Sequence, residues 1–277
     1  MLTVLIPCKN ERDHIRRCVA SARLVADEVL VADSGSTDGT LDLIAELGDC
    51  RLIEREFIGY ASFKNWAIPQ ATHDWVLILD ADERITLELT NEIRAVVQSP
   101  TDTNDAYWIG RRTFFLGYEA RYGPWLNDGA VRLIRRDRCR YDRARVHEGI
   151  EVDADRLGRL SGKLMHYSID SYDDYFAKYV KYTRLGAADR WDRGCRASGW
   201  KMLASPIGRF LWLYLIRGGF LDGAIGVQTC MLQALFVTFV KQGRLWEREH
   251  RREVEETAEP MVLPMRPEQA AGNQRAA

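Results

Sequence analysis

The sequence predicts an α/β protein, a mixed β-sheet that begins as parallel strands and is flanked by helices. Three observations carry this. Short β-rich apolar runs alternate with segments of helical period over the first hundred residues; residues 75–79 are apolar without a break, as in a strand covered on both faces; and the early strands run into polar loops. In such sheets ligands bind at the carboxyl ends of the strands, so those loops are where chemistry is expected.

Residues 2–6 form the first strand, closed by Pro7, and Asn10 is placed to cap a helix whose apolar positions are Ile15, Cys18, Val19 and Ala22. A second strand at 28–32 leads through the polar loop 33–39 into a helix marked by Leu41, Leu43, Ile44 and Leu47. A third strand follows at 51–54, a helix at 60–70 with Pro69 near its end, and then the buried strand 75–79. Beyond Pro100 the pattern shortens to β-like pieces at 106–111, 130–134 and 163–167, which continue the sheet as a mixed one. Residues 171–191 suit a helix, and its stripe of Tyr172, Tyr175, Phe176, Tyr179, Val180 and Tyr182 reads as a packing surface.

The last third differs. Residues 202–216 are apolar apart from Arg209, and 223–240 carry no charge. A bilayer span needs roughly 20 mostly apolar residues. Gln228, Thr229, Gln233 and Thr238 interrupt this stretch, while Arg209, Arg217, Lys241 and Arg244 flank its apolar pieces, which suits helices lying in a membrane surface. A helical hairpin that only closes the core is the other reading. The expected organisation is a main domain at 1–200, a helical and membrane-associated extension at 201–250, and a disordered tail at 251–277.

Among the 277 residues, 39 Lys and Arg face 40 Asp and Glu, a formal charge of −1 that favours no polyanion. With no nucleic-acid motif either, a nucleic-acid partner is not expected. Six scattered cysteines without a C-x-x-C pair argue against a zinc or redox centre and fit a reducing, cytoplasmic compartment. The N-terminus has no basic segment followed by a long apolar one, so it reads as a strand rather than a signal peptide.

The sharpest chemical signal is Asp80-Ala81-Asp82-Glu83, directly after the buried strand. Carboxylates this close repel unless a cation or proton lies between them, and hard divalent ions such as Mg²⁺ or Mn²⁺ pair one or two carboxylates with substrate phosphates. A metal-diphosphate site is therefore expected. A second signal, Asp33-Ser34-Gly35-Ser36-Thr37-Asp38-Gly39-Thr40, joins a strand to a helix, where side chains bond a nucleoside or cap the helix. Neither the P-loop nor the dinucleotide G-x-G-x-x-G pattern is present, which removes the main support for kinase and dehydrogenase readings. Between residues 111 and 147 ten Arg face four acids, a cationic segment suited to phosphate or carboxylate.

Taken in order, Pro7-Cys8-Lys9-Asn10-Glu11, residues 33–40, Lys64-Asn65 and Asp80-Ala81-Asp82-Glu83 resemble the family 2 glycosyltransferases of GT-A fold, over roughly residues 2–190. The later Trp125-Leu126-Asn127-Asp128-Gly129, Val131-Arg132-Leu133, Val146-His147-Glu148-Gly149 and Phe220-Leu221-Asp222-Gly223 look like the branch that adds glucose to the inner core of bacterial lipopolysaccharide.

The resemblance implies a Rossmann-like GT-A sheet and an inverting transfer, the first guess for the donor being UDP-glucose. Pro7, Glu11, Asp33 and Ser34 would line the nucleoside pocket, and Lys64 would approach the diphosphate. Asp80 would meet the ribose or the metal, Asp82 would be the main Mg²⁺ or Mn²⁺ ligand, and His166 a third ligand or phosphate contact. Glu148 would be the catalytic base, with Asp128 as runner-up. The partners implied are a nucleotide-sugar donor, a phosphorylated or acidic glycolipid acceptor held by the Arg-rich segment, and the inner face of the cytoplasmic membrane. A nucleotidyltransferase with a similar carboxylate-metal site, and a non-catalytic glycolipid-binding module, are the rival readings.

Overall fold

The computed structural model describes residues 1–142 and 149–257, the last seven by backbone alone. In chain order β1 (Leu2–Cys8), α1 (Arg12–Ala22), β2 (Glu28–Asp33), α2 (Thr40–Leu47), β3 (Arg51–Glu54), α3 (Tyr60–Ala67), β4 (Trp75–Ile78), β5 (Glu83–Ile85) and α4 (Leu87–Gln98) make the first half. The second half holds β6 (Ala106–Phe115), β7 (Tyr118–Ala120), β8 (Gly129–Arg135), β9 (Arg140–Tyr141), β10 (Ile150–Glu151) and β11 (Leu157–Ile169). It ends in α5 (Tyr172–Asp192), α6 (Gly199–Leu211), α7 (Gly223–Ala234) and α8 (Lys241–Thr257).

The main sheet runs β3-β2-β1-β4-β8-β6-β11-β5, with β7 on β6. Strands β1 to β4 are mutually parallel, as the alternation of strand and helix requires; β8 enters antiparallel between β4 and β6, and β5 lies antiparallel on β11. Pleating sends Val4 and Ile6 of β1 to one core, with Ile15 and Val19 of α1, and Leu5 to the other, with Phe63 and Ile68. Both faces are covered, so Trp75, Val76, Leu77 and Ile78 are all buried.

One connection shapes the site. Three strands separate β4 from β5, about 19 Å across a flat sheet, whereas the five steps from Ile78 to Glu83 reach about 17 Å even when extended. The sheet therefore curls, and the turn Asp80–Glu83 crosses over the ends of β8, β6 and β11.

Several elements differ from their expectation. Asn10 does not cap α1: it sits at φ 56°, the cap position falls to Glu11, and the Asn10 Oδ1 accepts from the Thr37 amide at 2.8 Å instead. The 60–70 helix is α3 followed by one 3₁₀ turn containing Pro69, which has no amide to donate. Strand β5 and helix α4 were not individually marked, β5 because three residues show no period. Helix α8 continues through Thr257, seven residues into the stretch 251–277 expected to be a disordered tail.

The C-terminal helices are joined to the main domain: Phe236 packs with Phe115, Ile169 and Tyr175 in a shared core cluster. The aromatic stripe of α5 is indeed packing, with Tyr175 stacked on Tyr179 at 4.1 Å and edge-on to Phe236.

Candidate active site

The first two loops are stitched together. The Asn10 amide donates to Ser36 Oγ at 2.8 Å, the Glu11 amide to Thr40 Oγ1 at 2.9 Å and the Arg12 amide to Asp38 Oδ2 at 3.2 Å. Asp33, fully buried at the end of β2, accepts from the amides of Gly35 and Ser36 at 2.7 and 2.8 Å and from Ser36 Oγ. Its carboxylate is therefore spent on folding the loop, which Gly35 at φ 96° allows. Ser34 Oγ donates to the Cys8 carbonyl, so its hydroxyl also serves the loop. Pro7, in β1 beside them, is half-buried.

The acidic turn is locked from below. Glu83, with no exposure, accepts from Arg111 Nε at 2.7 Å and Arg132 Nη2 at 2.9 Å, and takes the Asp80 amide at 3.0 Å. Arg84 bonds the carbonyls of Ala81 and Glu83, each at 2.7 Å. Asp80 pairs with Arg132, and Arg111 and Lys64 stand 3.8 and 4.0 Å away. Burial alone would raise its pKa, yet these three cations hold it well below the ordinary carboxylate range.

Asp82 faces another way. His166 Nε2 lies 3.4 Å from its Oδ2, and burial is outweighed by His166, so the Asp82 pKa falls to about 2. His166 Nδ1 is 3.3 Å from Thr113 Oγ1 and 4.0 Å from Asp128 Oδ2. Asp128 accepts from Thr113 Oγ1 at 3.0 Å and stands 3.6 Å from Arg111. Glu11 closes the opposite side: no hydrogen bond or ion pair reaches its carboxylate among the described residues, and burial, with Asp82 next, pushes its pKa up to about 8.

The structure thus gathers Glu11 after β1, Asp80 and Asp82 between β4 and β5, Asp128 before β8, His166 in β11 and Lys64 in α3, while Glu148 and His147 lie outside the described residues. Asp80, expected to meet the ribose or the metal, pairs with Arg132, and among the described residues no three His, Cys, Asp or Glu side chains form a metal cluster. Several arginines of the Arg-rich segment are paired within the fold. Arg111 and Arg132 hold the acidic turn, Arg112 and Arg121 pair with Glu119, Arg136 with Asp137, and Arg138 with Asp105.

Sequence reasoning missed the structural parts of Glu83, Arg111, Arg132 and Thr113. Only register could have shown them: Gly110 pairs with Gly129 and Thr113 with Ala120, so strand pairing brings side chains that are distant in sequence to one end of the sheet.

The model of glycosyl transferase family 2 matches residues 3–142. The chain is 30% identical over 252 residues to the lipopolysaccharide core biosynthesis glycosyltransferase LpsC of Rhizobium meliloti (strain 1021), covering 89% of this chain and 92% of that one. The chain belongs to glycosyl transferase family 2.

As a family 2 glycosyltransferase it also resembles a glycosyltransferase of Rickettsia typhi, 29% identical over 256 residues and covering 89% of this chain and 87% of the relative. Among solved structures, Staphylococcus aureus TarS 1–349 in complex with UDP-GlcNAc aligns with a TM-score of 0.45 at 16% identity, over 90% of this chain and 82% of that one. The curled mixed sheet with its acidic turn is the GT-A arrangement.

Proposed function

We propose that this glycosyltransferase inverts the anomeric centre as it moves a sugar, glucose from UDP-glucose as the first choice, to a phosphorylated or acidic glycolipid of the lipopolysaccharide-core type. The observation that carries it is the Asp82–His166 pair, at 3.4 Å the one facing carboxylate and imidazole of the acidic turn that its arginines do not occupy. A carboxylate oxygen and an imidazole nitrogen suit Mn²⁺, or Mg²⁺ less well, and two protein donors leave positions for diphosphate oxygens. The metal would neutralise charge on the departing nucleoside diphosphate.

The chain's own groups then have separable tasks. Arg132 and Arg111 keep Asp80 ionised and hold both Asp80 and Glu83 in place, so the turn carrying Asp82 is rigid before the donor arrives. Pro7, Glu11 and the 33–36 loop flank the nucleoside, with Asp33 and Ser34 acting by shaping that loop, while Lys64 faces the diphosphate. Asp128, already engaged by Thr113 and Arg111, orients the acceptor. Glu148 takes the proton of the attacking hydroxyl as it closes on the anomeric carbon opposite the leaving group.

The acceptor reading draws support from the C-terminal helices. Trp200, Leu203, Ile207, Leu211 and Leu215 are exposed at helical spacing, as are Val227, Met231, Leu235 and Phe239. Between Arg196 and Trp246 six basic residues face a single acid, Asp222, whose carboxylate is turned inward onto the Arg121 and Tyr122 amides at 2.9 Å. The stretch Gly219–His250 is long and apolar enough, by length and composition, to cross a membrane. Its inner side is bound to α5, through Phe236 on Tyr175 and through Arg244 Nε to Thr183 Oγ1 at 2.9 Å. A helix so committed supports lying on the bilayer over crossing it, in keeping with an enzyme at the inner face of the cytoplasmic membrane.

Calorimetry with UDP, GDP, ADP and CMP, with and without Mn²⁺, tests the donor side. Mn²⁺-dependent binding of UDP, lost in Asp82→Ala, is the expected result. Folded wild-type protein that binds no nucleotide would sink the reading.

A further inference from the structure

Helix α5 also reaches the candidate site, where Lys178 acts on Glu11 and Asp82. Lys178 Nζ lies 3.4 Å from both the carbonyl and the Oγ of Ser168, two positions beyond His166 in β11, where the pairing with β6 shifts register. Both contacts are long, and Lys178 enters no ion pair among the described residues, so an ammonium with three donors is weakly satisfied. Its charge acts on both Asp82 and Glu11. One helical turn on, Tyr182 is partly buried within the field of Asp80, Asp82 and Tyr60, and Lys181 sits over the rings of Phe57 and Tyr60 at 5.3 and 5.0 Å. These contacts fix α5 as a wall of the site.

The charges inside that wall are unevenly spent. Asp80, Asp82, Glu83 and Asp128 meet Arg111, Arg132 and Lys64, and all three of those cations lie against Asp80, with Glu83 and Asp128 taking what remains. With Arg84, which bonds the carbonyls of the same turn, four acids meet four cations, and each of those cations is already engaged there when a diphosphate arrives. Lys178 is the cation on the Asp82 side with donors to spare.

We infer that Lys178 is a donor-binding residue: its ammonium leaves Ser168 to hydrogen-bond the diphosphate of the nucleotide sugar beside Asp82, and it stays on that group as the sugar departs. The inference rests on the proposed nucleotide-sugar site and adds to it a group from α5. A point charge on a flexible stem suits a phosphate whose charge grows as the glycosidic bond breaks. No bond to Lys178 is made or broken; it gives hydrogen bonds only.

The test is calorimetry on the full chain with Mn²⁺, using UDP and uridine against wild type, Lys178→Ala and Lys178→Arg, with thermal unfolding of each. A charge-assisted hydrogen bond predicts roughly tenfold weaker UDP binding in Lys178→Ala, unchanged uridine binding, and substantial recovery in Lys178→Arg. Unchanged UDP affinity in Lys178→Ala would overturn the assignment, and so would equal losses for UDP and uridine accompanied by a lower Tm, the sign of a merely structural lysine. Wild-type protein that binds neither UDP nor uridine would remove the nucleotide site itself; wild type that binds UDP while Lys178→Ala binds it equally well removes only the role of Lys178.

Discussion

Glu11 is one of the groups in the candidate site that the protein holds far from its ordinary titration range. Burial comes first among the causes and the Asp82 carboxylate second, and together they raise its pKa to about 8. The folded chain therefore retains a proton that the unfolded chain releases once pH exceeds the usual glutamate value. The sign follows from linkage: stability from this group is fully present below that value and is lost as pH rises towards 8. Glu11→Gln is a permanent analogue of the protonated form. In metal-free protein, the Tm of Glu11→Gln relative to wild type should rise steadily between pH 5 and pH 8. A difference that stays flat across this range would show that Glu11 ionises normally. A cation bound at Asp82 would offset the repulsion, so Mn²⁺ should shrink the difference at pH 8.

At the scale of elements, the acidic turn is held by strands that the chain reaches much later. Arg132 of β8 and Arg111 of β6 insert between Asp80 at the end of β4 and Glu83 at the start of β5, tying four strands at the place where the sheet curls. Such a buried cluster need not add net stability over a well-packed apolar one, but removing one member strands its partners. Arg132→Met keeps the volume and leaves Glu83 and Asp80 short of a cation, so a destabilisation of about 3–5 kcal/mol is expected. Denaturant unfolding measures it, and a loss below about 1 kcal/mol would mean that Arg111 alone suffices. The same clamp takes Arg111 and Arg132 out of the Arg-rich segment that reads as an acceptor surface in the sequence.

For the molecule as a whole, the α6–α7 hairpin is bound to the site as well as to the proposed membrane surface. Arg217 Nε donates to the Gly123 carbonyl at 2.7 Å, and Asp222 caps the amides of Arg121 and Tyr122, so the hairpin braces the loop that ends in Asp128. Docking the exposed apolar stripes on a bilayer would thus bring the acceptor side of the site towards lipid-borne sugars. Full-length protein is expected to co-sediment with vesicles containing phosphatidylglycerol, less with purely zwitterionic ones, and Leu203→Glu/Ile207→Glu should abolish binding without changing UDP affinity. Equal sedimentation of that double variant and wild type would refute the membrane face.

The sequence by itself determined the parallel start of the sheet and the polar loops at its strand ends, the acidic turn with Asp82 among them, because strand and helix periods and the residues next to a strand end are local properties. His166 and Asp128 it marked only through the family resemblance. Only tertiary structure decided which charges are spent: that Asp33 folds its own loop, that Asp80 belongs to Arg132 rather than beside Asp82, and that Lys178 stands near the site. Those outcomes depend on strand order and on the curl forced by the short β4–β5 connection, and Coulomb interactions follow distance in space rather than separation along the chain.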